Sequence, residues 1–236
     1  MKKFIALILV ALLFIGNASA QKDIYTTTGG ELIFSFANIE QNGNNGNSIM
    51  RFAPVFNIQT WMHADISNKF GFFTGLAFRN VGYIYGDYKT NTQEVLTYKK
   101  KFRSYNLGVP LGIKIGNMDG TFFYAGYEVE LPVFYKEKTF DGGDKIDKIT
   151  GFFSNRENLF QHGFLVGVQG PYGVNLKFKY YLSEFHNQDF VDAAGIKPYA
   201  GLKSNIFYFS LSTFFFRDFK TSSSSTEMKS FKMQQL

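Results

Sequence analysis

The chain has 236 residues, a formal net charge of +6, no cysteine, and 19 % aromatic residues, among them 29 Phe and 14 Tyr. Lack of cysteine excludes disulfides, thiol chemistry, Cys-ligated metal and the cysteine-borne lipid anchor of bacterial lipoproteins. The charge is mild and dispersed, whereas nucleic-acid binding needs a concentrated basic face. The aromatic content is more than a soluble domain would readily bury, but a membrane barrel turns such residues outward into lipid and interfacial girdles.

Residues 1–20 read as a secretory signal peptide. Lys2 and Lys3 form a cationic start, residues 4–15 are almost purely apolar, and Ala18-Ser19-Ala20 is a small-residue cleavage site. The mature chain is expected to begin at Gln21. Beyond the signal, no apolar run approaches the ~20 residues of a spanning helix. An integral mature chain must therefore close into a barrel, because lipid tolerates no open sheet edge.

The segments that follow alternate with period two. A weak strand is expected over about 31–38. In 56–66, Phe56, Ile58, Met62 and Ile66 oppose Asn57, Gln59, Trp61, His63 and Asp65. A second weak strand covers about 71–85 and carries Arg79. In 105–115, Tyr105, Leu107, Val109, Leu111, Ile113 and Ile115 oppose Asn106, Gly108, Pro110, Gly112 and Lys114. In 123–133, Phe123, Tyr127, Val129, Leu131 and Val133 oppose Tyr124, Gly126, Glu128 and Glu130. A third weak strand covers 159–169. In 174–182, Val174, Leu176, Phe178, Tyr180 and Leu182 oppose Asn175, Lys177, Lys179 and Tyr181. In 207–215, Phe207, Phe209, Leu211 and Phe215 oppose Tyr208, Ser210 and Ser212.

Short turns near 67–69, 118–120 and 170–172 alternate with long polar segments near 39–48, 86–99, 138–158 and 184–204. That asymmetry marks an outer-membrane barrel with short periplasmic turns. The expected fold is all-β: an up-and-down antiparallel transmembrane barrel of about eight strands over 21–216, followed by a polar periplasmic tail, 217–236. Residues facing each other across a hairpin must share a side, so Met118-Asp119-Gly120 should be a three-residue loop with Gly120 left-handed. Glu128 then faces Pro110, Glu130 faces Gly108, and Trp61 faces Gly75. Pro110 cannot donate to a ladder, and a bulge is expected there.

The stretch Tyr105-Asn106-Leu107-Gly108-Val109-Pro110-Leu111-Gly112-Ile113-Lys114 resembles the Y-x-x-x-I-P-L-x-x-K run of PorT-type outer-membrane β-barrel proteins. The signal, strand count and aromatic outward faces agree with that resemblance in layout. It implies a role in, or beside, a secretion or envelope complex. The polar tail after Phe214-Phe215-Phe216 departs from the usual pattern, so barrel-assembly machinery would read an internal aromatic signal.

The inward charges form the first candidate site: Asp65, Arg79, Lys114, Glu128, Glu130, Lys177 and Lys179, beside His63. Eight strands leave an interior just wide enough for side chains, and buried charges persist when paired, so a filled lumen is expected. A proton or ion path is the functional alternative. Lys99, Lys100, Lys101 and Arg103 form the second candidate, a contact for lipopolysaccharide phosphates at the long-loop rim. Asp141, Asp144 and Asp147 match no calcium-loop spacing and read as turn residues. Ser183, Glu184 and His186 are clustered at a strand exit. Glu128 and Glu130 lie on one face without an opposed partner for substrate. Neither group makes a convincing catalytic set.

The reading is a non-enzymatic outer-membrane barrel without cofactor or metal. Its partners are outer-membrane lipid and lipopolysaccharide, the barrel-assembly machinery and an envelope or secretion complex. The alternative is a narrow pore or small-solute carrier, and a lipid hydrolase ranks last.

Overall fold

The computed structural model describes residues 23–90 and 96–219, and the expected signal peptide and most of the expected tail lie outside them. Eight long antiparallel strands form the wall: β1 (Asp23–Gln41), β2 (Ile58–Ser67), β3 (Phe70–Lys89), β4 (Thr97–Gly116), β5 (Phe122–Asp141), β6 (Gln161–Gln169), β7 (Val174–Tyr181) and β8 (Leu202–Phe219). Each pairs with its sequence neighbours, and β8 pairs back onto β1 from Gln41↔Leu202 to Tyr25↔Phe219. The pairing of β8 with β1 closes the ring, which removes the free sheet edges of an open wall. The last strand runs to Phe219, three residues past the expected barrel end. Both ends of the described chain lie at the short-turn end.

The strands alternate as the sequence predicts. Odd residues of β1, β2, β6 and β7 point inward, and even ones in β4, β8 and the first part of β5. The outward face is Leu, Val, Ile and Phe: Leu76, Leu107, Leu111, Phe123 and Phe164 are all at least half exposed. The inward face is polar and closed. An apolar outer wall around a polar interior is the inside-out pattern of a transmembrane barrel. The outward residues from Tyr105 to Ile115 span about 25 Å at ~3.3 Å per residue and ~40° tilt, the height of a bilayer's apolar band.

Hairpin parity holds. Gly108 pairs with Glu130, Pro110 with Glu128, and Trp61 with Gly75. The β4–β5 loop is three residues between Asn117 and Thr121, closed by an Asn117 N to Thr121 O bond of 2.8 Å. Its left-handed glycine is not Gly120, however. Gly116, at the end of β4, takes φ 140°, while Asn117 accepts from Gly120 N at 3.0 Å and caps Asp119 N with its side chain.

The bulge expected at Pro110 is absent. The β3–β4 ladder instead skips the pairs between Thr74↔Leu111 and Ala77↔Gly108 without changing register. Pro110 lacks a donor toward β3, and Thr74 Oγ1 fills the gap by donating to the Pro110 carbonyl at 2.8 Å. The bulge lies further on, at Val133, where Asn106 faces Pro132 and Tyr105 faces Phe134. It switches the inward parity of β5, so Tyr135 and Glu137 point inward.

Among the described residues, two strands of three residues or more lie outside the expected set, one of them within a segment read as a loop. Within 138–158, β5 continues to Asp141, turns at Gly142 and Gly143 (φ 54° and 107°), and returns as a strand, Asp144–Phe152. Two positive φ values in succession define the hairpin turn that glycine favours. Before β2, residues 51–53 pair with β1, and the chain then leaves the wall at Pro54 and rejoins it at Ile58. The Asn57 side chain bridges the breach, donating to Glu31 O and Ala53 O and accepting from Asn80 N. Residues 182–201 are largely irregular and fold over the mouth.

Candidate functional site

The lumen is filled in layers. At the short-turn end, Lys114 on β4 pairs with Asp65 on β2 and donates to Tyr25 OH at 3.2 Å. His63 stacks on Tyr25, centroids 4.6 Å apart, and bonds Thr27 Oγ1. Above it lies an aromatic layer, with Trp61 stacked on Phe73 at 4.7 Å and edge-on to Tyr124 at 5.2 Å.

Next comes a six-membered charge network. Arg79 donates to Glu31 at 3.1 Å, to Glu128, to Glu130 at 3.3 Å and to Gln59 at 3.1 Å. Lys177 pairs with Glu31 at 2.7 Å. Lys179 pairs with Glu128 at 2.7 Å and Glu130 at 2.6 Å. Tyr181 and Asn106 complete the coordination of Glu130 Oε2, at 2.8 and 2.7 Å. Every side chain in these pairs is at most 1 % exposed.

All seven inward charges expected from the sequence are inside and paired. In these same layers sequence reasoning missed Glu31, which brings their anions to four against four cations. Its strand was weak to read because Ile33, Ala37 and Ile39 share the inward face with Glu31 and Ser35, so the polar–apolar alternation is blurred. Small residues on β4 make room: a Cβ on Gly108 would meet Glu128 Oε1 at 2.6 Å, and one on Gly112 would meet the Phe73 ring at 2.4 Å.

The mouth is closed by a second layer containing Tyr83, Phe102, Tyr135, Phe185, Tyr199 and Tyr208. Glu137 accepts from Lys100 at 2.6 Å, Tyr135 at 2.8 Å and Tyr199 at 2.6 Å. His186 stacks on Tyr199 at 4.4 Å and bonds Tyr83 at 2.9 Å. Residues 155–158 zip onto 184–187 through Asn158 N to Phe185 O and Asn187 N to Arg156 O. This covers Glu157, whose two carboxylate oxygens have no hydrogen-bond partner. Burial raises its pKa from 4.5 to about 8, and burial lowers that of His186 from 6.5 to about 3.

The expected rim cluster divides. Lys100 points inward to Glu137, so it does not belong to an outer contact. Lys101 and Arg103 point outward, facing Lys138 and Lys136 across the β4–β5 ladder. These two partners lie past residue 133, where the sequence reading ends the strand; β5 continues to Asp141, and the bulge at Val133 turns them outward. Ser183, Glu184 and His186 are not assembled. Ser183 Oγ accepts from His162 N at 3.0 Å, Glu184 accepts from Gln188, and His186 is committed to Tyr83 and Tyr199. Glu128 and Glu130 are held by Arg79 and Lys179 rather than facing open space.

The closed ring, polar filled core and apolar wall define an eight-stranded β-barrel of the transmembrane kind. No family model and no curated protein matches the sequence. Among solved structures, the chain is similar in fold to several, among them the following three. The attachment invasion locus protein Ail of Yersinia pestis, in complex with the heparin analogue sucrose octasulfate, is 9 % identical, with a TM-score of 0.39 over 83 % of this chain and 99 % of that one. Neisserial surface protein A is 13 % identical, with a TM-score of 0.35 over 80 % and 96 %. The outer membrane protein OprG from Pseudomonas aeruginosa is 9 % identical, with a TM-score of 0.40 over 86 % and 100 %. The strand pairing, not these likenesses, establishes the fold.

Proposed function

We propose that this chain is a non-conducting, non-enzymatic outer-membrane barrel that presents a surface at the cell exterior, as a binding protein or as an accessory of an envelope or secretion complex. The observation that carries the reading is the filled lumen. Arg79, Lys177 and Lys179 bridge opposite walls through Glu31, Glu128 and Glu130, and aromatic layers seal both sides of them. The length of the wall supports surface presentation. β3, β4 and β5 are each 20 residues long, about twice the ~9–11 that cross a bilayer. The excess lies at the long-loop end, which in this reading faces outward. The secretion-complex option rests on the PorT-like stretch at 105–114, and its ligand is a partner at the exposed hairpins.

Planar-bilayer recording tests the reading. The reconstituted chain should show no stable channel. Glu128→Gln should leave Lys179 short of counter-charge and lower thermal stability by about 3–5 kcal/mol, the usual effect of breaking a buried pair. Reproducible conductance that Glu128→Gln leaves unchanged would replace this reading with a small pore.

A further inference from the structure

The outer wall at the long-loop end carries cations in register. Reading across β3, β4, β5 and the returning strand Asp144–Phe152, one row is Ile84, Lys101, Lys138 and Lys148. The row below it is Gly82, Arg103, Lys136 and Thr150, and below that Tyr105 meets Phe134 and Phe152. Like charges directly opposite across a ladder repel, yet here they occur side by side. Among the described residues no carboxylate pairs with them. Arg103 reaches only Tyr105 OH, at 3.2 Å, and Lys101 lies over the Phe140 ring at 4.9 Å.

These cations border a cavity of about 200 Å³ with an apolar floor of Phe52, Ile84 and Phe140. It opens directly above the aromatic belt, where Tyr105 packs on Phe78 at 6.0 Å and on Phe134 at 5.8 Å. A ligand that fits has phosphates at the level of Arg103 and Lys136 and acyl chains running down the wall below.

We propose that Lys101, Arg103, Lys136 and Lys138 form a binding site for the phosphates of a phosphorylated outer-leaflet lipid, whose acyl chains lie on the Phe134–Phe152 belt. The site rests on the outward orientation of the long-loop end given above, but its chemistry can be read in micelles without it. The lipid supplies the anions that the chain does not. Cations at the polar–apolar boundary hold anionic headgroups there, and a phosphate between Arg103 and Lys136 turns a repelling pair into a bridged one.

The full chain in neutral detergent is exposed to bis-phosphorylated lipid A, to the same lipid dephosphorylated, or to inorganic phosphate, and retained lipid is counted by native mass spectrometry. Wild type should retain the phosphorylated lipid, and R103Q/K136Q should lower retention roughly tenfold or more. K197Q/K203Q removes the same charge from exposed pairs with Asp189 and Glu40 and should retain as wild type does. Melting provides an independent sign. Without lipid, R103Q/K136Q should melt above wild type because the repulsion is gone; with lipid A the order should reverse. Equal retention by both double variants, equal retention of the dephosphorylated lipid, or displacement by millimolar inorganic phosphate would each overturn the assignment. Failure here would leave the conductance result untouched, so the two readings fall separately.

Discussion

At the residue scale, small side chains in β4 are as constrained as large ones. Leu111 is 66 % exposed on the lipid side, so Leu111→Arg should cost about 2–4 kcal/mol near the bilayer midplane. From direction alone, Gly112 should accept a serine more readily, because it faces the lumen. The packing reverses that expectation. A Cβ there meets the Phe73 ring and the Ala125 carbonyl oxygen, both at 2.4 Å. Gly112→Ser should therefore also lower assembly yield, and combining it with Phe73→Ala should restore part of the loss. Folded yield on semi-native gels checks this, and a fully tolerated Gly112→Ser would contradict the packing of the lower aromatic layer.

Among the elements, the cap over the mouth is the one whose stability should respond to pH. Glu157 and His186 pair across it, beside Tyr83, Glu137, Lys100 and Arg156. Glu157 has its pKa raised from 4.5 to about 8, so the closed cap holds a proton that the open cap releases. Closure then weakens from pH 4.5 upward and stops weakening near 8. His186 has its pKa lowered from 6.5 to about 3, so the open cap gains the proton and closure weakens as pH falls below 6.5. Between about 4.5 and 6.5 the two slopes oppose each other. Above 6.5 only Glu157 acts, at about 1.4 kcal/mol per pH unit. Hydrogen-exchange protection at 155–158 and 184–187, corrected for intrinsic rates, should be greatest at pH 4.5–6.5 and fall toward pH 8. Glu157→Gln should remove the fall on the alkaline side; the same fall in that variant would assign the effect to another group.

For the whole molecule, loop asymmetry carries the sidedness. The strand Asp144–Phe152, which pairs with the end of β5, is largely exposed at the long-loop rim, whereas the turn at 118–120 sits at the opposite rim. Protease added to intact cells should cut within 142–153 and spare 117–121. The converse pattern would invert the barrel and place the basic rows on the periplasmic side.

Most of the wall was legible because strand faces obey a local rule. Tyr105 to Ile115 alternates cleanly, and parity then sets the β4–β5 register, including Glu128 opposite Pro110. That rule reaches only as far as a strand is recognised: β5 runs on past 133 to Asp141 through a bulge that resets parity, and Lys136, Glu137 and Lys138 lie beyond it. It also weakens where both faces of a strand are apolar, which hid Glu31. Local pattern and turn chemistry therefore determined the closed barrel, its short-turn and long-loop ends and seven of the eight charges in the lower lumen layers, because a period of two needs no distant partner to be read. Only the tertiary structure decided the charge balance of those layers, the burial of Glu157 and the row of facing cations. Each depends on which residues meet across strands far apart in sequence, and one inserted residue in one strand changes that for everything beyond it.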